Sequence, residues 1–272
     1  MKQINKTTTA LAAIAAAAMI TPQAADAALA AHWTFDEGAG TTAADSSGNG
    51  YTVTESISGG TWITGKSGSA IDEGHYSVDG HTTGAASQAL NFAGGSVTVS
   101  LWITDPTSTG FGGIAGFESR GSGSDIYGFK HGGDTLNWTA VGTSPLTAPD
   151  TLANYSAATS DGWIHIVGTY DGVTGASTMY VNGTQVATET EAAGIPDKTP
   201  PSIFVIGRYS NDTTEQFTGA IDDLQVYDEA LSATDVSSLF ANPGLDLASI
   251  PEPSSTALLG LGGLALIFRR RK

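Results

Sequence analysis

The chain has 272 residues, a formal net charge of −16 at pH 7 and no cysteine. The lack of cysteine excludes disulfide bonds, thiolate nucleophiles and zinc sites with thiolate ligands. A surface this acidic repels phosphate groups, which excludes nucleic acid as a partner.

The N-terminus carries a predicted export signal. Lys2 and Lys6 precede the apolar stretch Ala10–Ile20, and small residues that suit cleavage follow at Ala27 and Ala30. Positive charge, an apolar run and small residues in this order are typical of a secretory signal peptide. We therefore expect residues 1–27 to be removed on export, with Ala30 as the alternative cleavage position.

Residues 28–246 are predicted to form one all-β domain. Short apolar or alternating runs are separated by turn residues about every ten positions, which is typical of antiparallel strands. The run Ser96–Ile103 alternates apolar and polar residues, whereas Gly162–Tyr170 is apolar on both faces, as an interior strand would be. The pattern predicts a two-sheet antiparallel β-sandwich of the jelly-roll type.

The connections can be predicted at three places. Asn182 and Gly183 separate two strand-like runs, and this dipeptide favours a tight β-hairpin. The stretch Ser232–Phe240 is predicted to be the one helix, with its first residue as the N-cap. The stretch Ser67–Asn91 is rich in Gly, Ser and His, and we expect a long irregular loop that places His75 on the surface.

The C-terminal segment, residues 247–272, has three parts in a fixed order. Pro251, Glu252 and Pro253 precede an apolar run, Ser254–Phe268, and the four cations 269–272 end the chain. The apolar run is shorter than the roughly 20 residues that a helix needs to span a bilayer. The basic cluster favours the cytoplasmic side, so the tail is expected to stall transiently in the inner membrane during export.

This arrangement resembles the PEP-CTERM class of bacterial sorting signals. The resemblance implies that an exosortase-type membrane protease cuts near Pro251, Glu252 and Pro253 and releases the protein to the cell surface or extracellular matrix. A plain C-terminal membrane anchor is the alternative. With both terminal segments removed, residues 28–246 contain 5 basic and 25 acidic residues.

Four stretches of the core resemble the laminin-G-like branch of the concanavalin A-like lectin/glucanase superfamily. They occur in family order and frame nearly all of the core: HWTFDEGAGTTAADSSGNG, GWIHIVGTYDG, MYVNGTQV and FTGAIDDLQVYDEALS. The resemblance implies a sandwich in which the first and last strands are neighbours. The superfamily contains both binding modules and glycosidases, so the fold alone does not select a function.

The acidic residues do not form a recognisable catalytic pair. A retaining glycosidase needs two carboxyl groups about 5 to 5.5 Å apart, and the E-x-D-x-x-E pattern typical of the glucanase branch is missing. Glu189 and Glu191 share strand parity, but they precede a predicted loop, which favours solvated surface residues. Asp222 and Asp223 are adjacent and should point to opposite faces of a strand. The sequence therefore favours a protein that is not an enzyme.

Several oxygen-bearing side chains are expected to converge at one sheet edge. Asp36, Asp45 and Asn49 lie in an N-terminal loop, and Asp222 and Asp223 begin the penultimate strand. If the first and last strands pair, as the resemblance implies, these residues form a candidate metal site. Hard oxygen ligands in irregular geometry favour Ca²⁺. The alternative is plain turn formation, for which Asp-Ser-Ser-Gly-Asn-Gly is well suited without an ion.

A sugar is commonly bound by an exposed aromatic ring together with polar groups that fix its orientation. The predicted ligand-binding residues are Trp62, Tyr127, Trp138, Arg208 and Tyr209. Asp134 and Asn137 are candidate hydrogen-bonding partners. For each aromatic residue the alternative is a place in the core, and for Arg208 it is a pair with a neighbouring carboxylate.

Together these features favour an exported, non-catalytic laminin-G-like domain that binds glycan or a matrix polymer at the bacterial cell surface. One alternative is a structural matrix protein whose acidic surface is cross-linked by divalent ions and has no discrete sugar site. The other is a divergent glycosidase or polysaccharide lyase.

Overall fold

The chain folds into the predicted β-sandwich. The computed structural model describes residues 27–57, 59–78, 88–107, 110–119, 124–141, 145–197, 202–208 and 215–251. Within these ranges, strands pair antiparallel in two sheets of eight. In spatial order the first sheet contains β14 (Thr184–Thr190), β13 (Ala176–Val181), β12 (Trp163–Tyr170), β7 (Val97–Thr104), β16 (Ala220–Tyr227), β5 (Ser69–Asp72) and β4 (Thr61–Thr64), and β1 (Leu29–Trp33) also pairs with β16. The second sheet contains β11 (Leu146–Thr151), β10 (Thr135–Ala140), β9 (Ser124–Gly132), β8 (Phe111–Ser119), β15 (Ser202–Ile206), β6 (His75–Val78), β3 (Val53–Ile57) and β2 (Thr42–Ala43).

The hairpin between β13 and β14 has the predicted turn. Asn182 and Gly183 have φ angles of 49° and 73°. A two-residue turn with positive φ at both positions matches the twist of the flanking strands, and Asn-Gly tolerates these angles best. The dipeptide therefore fixes the register of β13 against β14.

Two helices lie wholly within the described ranges. The predicted one, α2 (Ala233–Ala241), begins at the N-cap Ser232, whose side chain exchanges hydrogen bonds with Asp235 in a capping box. The other, α1 (Leu152–Ala157), is not predicted by the sequence. Its six residues are too few for a helical period, and its start is marked only by the Thr151 side chain, which accepts a hydrogen bond from the Asn154 N–H.

The expected long loop at Ser67–Asn91 is wrong in its first half. This half forms β5 and β6, because Ile71, Tyr76 and Val78 all bury their side chains in the core. His75 consequently lies on a strand and is 5% exposed, not on a surface loop. Residues 79–87 lie outside the described ranges.

The core lies between the two sheets, and both ends of the domain meet on the first sheet. There β1 pairs with β16, as the family resemblance implies. Beyond α2, Leu247 and Ile250 pack against the apolar cluster around Tyr227, together with Leu29. The packed chain thus continues to Ile250, beyond the predicted boundary at residue 246, because its side chains still contribute apolar burial.

The described part of the chain contains no helix with both the length and the apolar character needed to cross a membrane. The apolar run Ser254–Phe268, predicted to enter the inner membrane, lies outside the described residues, as do Glu252 and Pro253.

Candidate functional site

The structure does not bring the five predicted metal ligands together. Asp36 and Asp222 both hold the turn at residues 65–69. The Ser69 N–H donates to Asp36 Oδ1 over 2.9 Å, and the Ser67 N–H donates to Asp222 Oδ2 over 3.0 Å. Both carboxylates therefore act as acceptors for backbone N–H groups of the β4–β5 hairpin.

Asp45 and Asn49 organise a second turn. Asp45 accepts hydrogen bonds from the backbone N–H groups of His32 and Tyr51, each over 3.0 Å. Burial alone would raise the Asp45 pKa, but these N–H donors outweigh it and hold the pKa below its usual value. The Asn49 side-chain amide donates to the Ala30 carbonyl over 2.9 Å. This is the turn chemistry that the sequence offered as the alternative to calcium.

Asp223 is the centre of a buried polar network on the first sheet. Its Oδ1 lies 2.7 Å from His32 Nε2 and accepts from Gln225 Nε2 over 2.8 Å. Its Oδ2 accepts from the Gly244 N–H over 2.7 Å. Oδ2 thus holds the segment after α2 against β16, and Oδ1 joins β16 to β1. The Tyr227 hydroxyl extends the network, because it donates to Gln225 Oε1.

The predicted calcium site stays a prediction. No cluster of three or more His, Asp or Glu side chains suited to a metal ion occurs in the ranges that the structure describes. The predicted ligands do not cluster, because their carboxylates accept hydrogen bonds from protein N–H groups in separate parts of the structure. The one orphaned oxygen, Asp222 Oδ1, is fully buried, and burial raises the Asp222 pKa to about 7.

Two of the predicted ligand-binding aromatics are core residues. Tyr127 and Trp138 are 0% exposed, so neither ring has a face open to a sugar. The Tyr127 hydroxyl donates to the Leu90 carbonyl over 2.6 Å. The Trp138 ring lies against Gly168 so closely that a Cβ there would be 2.2 Å from the indole. The alternation of Leu136, Trp138 and Ala140 with polar residues indicates this core position.

The other three predicted residues have different surroundings. Trp62 is half-buried at the edge of the core, and its Nε1–H donates to the Gly40 carbonyl over 2.9 Å. Arg208 follows β15 and is only 3% exposed. Tyr209 lies outside the described residues. Trp62 is thus the only member of the predicted aromatic set with a described, partly exposed ring.

The outer face of the second sheet is polar and built from small residues. On β6, β15 and β10, alternate apolar residues belong to the core cluster, and the residues between them form this outer face. One row across the face consists of cross-strand neighbours: Ser77, Val205, Gly116, Gly128 and Thr139. A second row contains Gly113, Lys130, Asn137 and Thr147. The first row is buried, so we call the exposed and half-buried surface formed by Phe111, Lys130, Asn137 and Thr147 the polar face.

Polar atoms of β6, next to the polar face, are buried without a partner. Ser77 is 0% exposed, and neither its hydroxyl nor either ring nitrogen of His75 has a hydrogen-bond partner. Burial and the nearby Arg208 guanidinium lower the His75 pKa to about 4. The ring is therefore neutral at pH 7, with one donor and one acceptor. Unpaired buried polar groups cost roughly 1–3 kcal/mol each.

Phe111, at the start of β8, is the aromatic residue that the sequence analysis missed. It is 41% exposed, the most open aromatic side chain in the described part of the chain. The Lys130 Nζ lies 5.6 Å from its ring centroid. The sequence signal is weak, because Phe111 stands between glycines and belongs to no alternating pattern. An exposed ring beside amide, hydroxyl and ammonium groups has the components of a carbohydrate site.

Comparison with known families gives two matches. The model for the concanavalin A-like lectin/glucanases superfamily matches residues 79–237. The model for the PEP-CTERM protein-sorting motif matches residues 249–272. No curated protein matches the chain.

Solved structures share the fold at low sequence identity. The binding domain of Paraclostridial Mosquitocidal Protein 1 has 17% identity and a TM-score of 0.59, and the match covers 78% of this chain and 51% of that one. The botulinum neurotoxin type G receptor binding domain has 16% identity and a TM-score of 0.56, with 79% and 51% covered. This chain thus spans about half the length of these two toxin chains.

A third structure has a similar length. Domain 4 of AbnA, a GH43 extracellular arabinanase from Geobacillus stearothermophilus, was solved in complex with arabinotriose. It has 22% identity and a TM-score of 0.51, with 79% of this chain and 98% of that domain covered. At these identities the likeness establishes the sandwich fold.

Proposed function

The chain belongs to the concanavalin A-like lectin/glucanases superfamily, and on that premise we propose that it is an exported domain that binds a polysaccharide through its polar face and catalyses no reaction. The arabinotriose complex of the AbnA domain supports this proposal, because a sandwich of the same fold and nearly the same length binds an oligosaccharide there. The sorting motif supports export with C-terminal processing.

The observation that carries the proposal is the position of Phe111. Its 41% exposed ring lies beside Lys130, which is paired across the sheet with Asn137. A pyranose or furanose ring has an apolar face that packs on an aromatic ring, while its hydroxyls need donors and acceptors at the periphery. The side chains of Lys130, Asn137 and Thr147 supply both kinds of group.

The width of the polar face favours a polymer over a single sugar. The row from Gly113 through Lys130 and Asn137 to Thr147 crosses four neighbouring strands. Neighbouring strands are about 4.8 Å apart, so this row is about 14 Å long. A chain of about three sugar units matches that length, and each unit adds contacts at little further entropic cost.

The carboxylates of the described residues support a binding role rather than catalysis. Asp222, with its pKa raised to about 7, resembles a general acid in this respect, but its side chain is fully buried in the first sheet. Its neighbour Asp223 is committed to His32, Gln225 and Gly244. A glycosidase acid must reach the scissile bond in an open cleft.

The proposed location is the bacterial cell surface or the extracellular matrix. The motif at residues 249–272 begins within the segment that packs on the domain. An exosortase-type protease that cuts near Pro251 would act just beyond Leu247 and Ile250, which pack on the domain. The polar face belongs to the second sheet and the C-terminal segment to the first, so release leaves the binding face unchanged.

The test is binding of the full chain to a panel of immobilised polysaccharides. We expect saturable binding to a subset of polymers, and a roughly tenfold weaker affinity for Phe111→Ala, which corresponds to about 1.4 kcal/mol of lost stacking. Val173→Ala is the matched control, because Val173 is 86% exposed and lies on the hairpin loop of the first sheet. Release of shortened products from any polymer would instead identify an enzyme, and a panel without binding would favour the structural matrix protein.

A further inference from the structure

Two peptide bonds near the start of the domain suit removal of the export signal. Small residues that a signal peptidase accepts stand at Ala25 and Ala27 before one bond, and at Ala28 and Ala30 before the other. The sequence pattern is the same at both bonds and does not choose between them. The fold does distinguish them, because residues 28–30, which separate the two bonds, make defined contacts with the sandwich.

The backbone of these three residues is held by the domain. The Ala28 carbonyl accepts a hydrogen bond from the Asp228 N–H over 3.2 Å. The Asn49 side-chain amide donates to the carbonyls of Leu29 and Ala30, over 3.2 and 2.9 Å. All three carbonyl groups are therefore paired with groups from other parts of the chain, and a cut after Ala30 would remove every one of these hydrogen bonds.

The Leu29 side chain adds apolar contacts at the same place. Leu29 is the partner of Tyr227 on β16 and packs against the apolar cluster around that ring. Leu247 and Ile250, at the start of the sorting motif, pack on the same cluster. Ala27 also packs there, but its side chain is a single methyl group. Leu29 therefore joins the two ends of the domain, and a chain without it loses apolar burial beneath the C-terminal segment.

The two bonds differ in their accessibility once β1 has formed. Ala31, directly after the second bond, is 0% exposed and is the partner of Val226 on β16. A protease reaches that bond only if β1 first separates from β16, which costs the free energy of a local opening. Ala28 is exposed and precedes β1, so the bond between Ala27 and Ala28 is accessible in the folded domain.

We infer that the export signal is cut between Ala27 and Ala28, so that the exported domain begins at Ala28. The step is a hydrolysis: water adds across this peptide bond and leaves a carboxyl group on Ala27 and an amino group on Ala28. The cut keeps β1 whole, whether it precedes folding or follows it. This step does not depend on polysaccharide binding at the polar face.

The test is the N-terminal sequence of the exported protein. The full chain is produced with its own signal in a bacterial host, and the protein found outside the inner membrane is sequenced from its N-terminus. We expect it to begin with Ala28, Leu29 and Ala30. A protein that begins at Ala31 would overturn the inference, as would an exported protein that retains residues 1–27.

Two matched substitutions address each bond separately. Ala27→Tyr places a large side chain directly before the proposed bond and leaves Ala28 and Ala30 unchanged, so the cut after Ala27 should be lost. Ala28→Tyr places the same side chain at the first small position of the other site, and the cut after Ala27 should persist. Ala28 is exposed, so the fold accommodates this substitution. The reverse pattern, with the wild-type N-terminus kept in Ala27→Tyr and lost in Ala28→Tyr, would overturn the inference.

Deletion of residues 28–30 from the full chain measures what they contribute to the domain. The same cut after Ala27 then yields an exported domain that begins at Ala31. We expect its Tm to be about 4–8 °C lower than that of the wild type. Amide exchange at Leu247 should be faster, because the Leu29 side chain no longer packs beside it. Equal Tm values and equal exchange would show that the domain does not need these residues and would overturn the structural basis for the cut.

Discussion

Replacement of Asp223 by Asn should loosen the segment that follows α2. Asp223 has a φ of 48°, and Asn is among the residues that best tolerate this left-handed conformation, so Asp223→Asn leaves the backbone unstrained. The substitution changes one carboxylate oxygen into an amide NH₂ group. That group must face either the Gly244 N–H or the pair formed by His32 and Gln225, all of which now hydrogen bond to the carboxylate.

The size of the effect follows from these contacts. A buried donor left without an acceptor costs roughly 1–3 kcal/mol, and hydrogen bonds to a charged group contribute about 1.5–3 kcal/mol each, without full additivity. We therefore expect Asp223→Asn to lower the free energy of unfolding by about 3 kcal/mol. For a domain of this size that is a decrease in Tm of about 6–12 °C.

The assay is thermal unfolding followed by circular dichroism, with amide hydrogen exchange at Gly244 and Leu247 as a local readout. Gly244 donates directly to Asp223, and Leu247 donates to the Tyr227 hydroxyl in the same network. Asp228→Asn is the matched control, since Asp228 is an exposed carboxylate on the same segment. A Tm equal to that of the control, with unchanged exchange at Gly244, would refute this account of the network.

Three further outcomes are expected. Gly168→Ala should unfold the protein at a much lower temperature, because the new Cβ would lie 2.2 Å from the Trp138 ring. Gly132→Ala should be tolerated, because the nearest atom to its new Cβ lies at 3.7 Å. Similar Tm values for the two variants would disprove this packing. The Asp222 pKa is raised to about 7, so its contribution to stability is present below pH 3.8 and lost as the pH rises through 7. Asp222→Asn should therefore be more stable than the wild type by at most about 4 kcal/mol at pH 8 and no more stable near pH 4. Urea unfolding across this pH range measures the difference. Burial lowers the His165 pKa to about 3, so the unfolded chain binds the proton first and stability should fall as the pH drops from 6.5 towards 3, a slope that His165→Gln should reduce.

The fold was predictable because local sequence signals and global packing agree. The Asn182-Gly183 turn, the capped helix α2 and the apolar strand β12 each have a short-range signature that tertiary structure preserves. His165 lies on this apolar strand as a buried histidine, with Nε2 3.0 Å from the Ser100 hydroxyl. Helix α1 was not predictable, because six residues make too short a period.

The candidate site was harder to predict because it depends on partners distant in sequence. Trp138 is buried against Gly168, and nothing near either residue in the sequence indicates that contact. Asp222 and Asp223 lie on β16, which pairs with β1, and their carboxylates accept hydrogen bonds from the distant Ser67 and Gly244 N–H groups, which no local pattern indicates. Exposure of Phe111 likewise follows from the arrangement of strands.

The most direct test of the central claim is chemical-shift mapping of the labelled protein with an oligosaccharide from the best-binding polymer. We predict that the amide shifts of Phe111, Lys130 and Asn137 move together with one saturation curve, and that their neighbours on the second sheet follow. Shifts confined to the first sheet, around Lys66 and Trp102, or no shifts at saturating oligosaccharide, would contradict a polysaccharide site on the polar face.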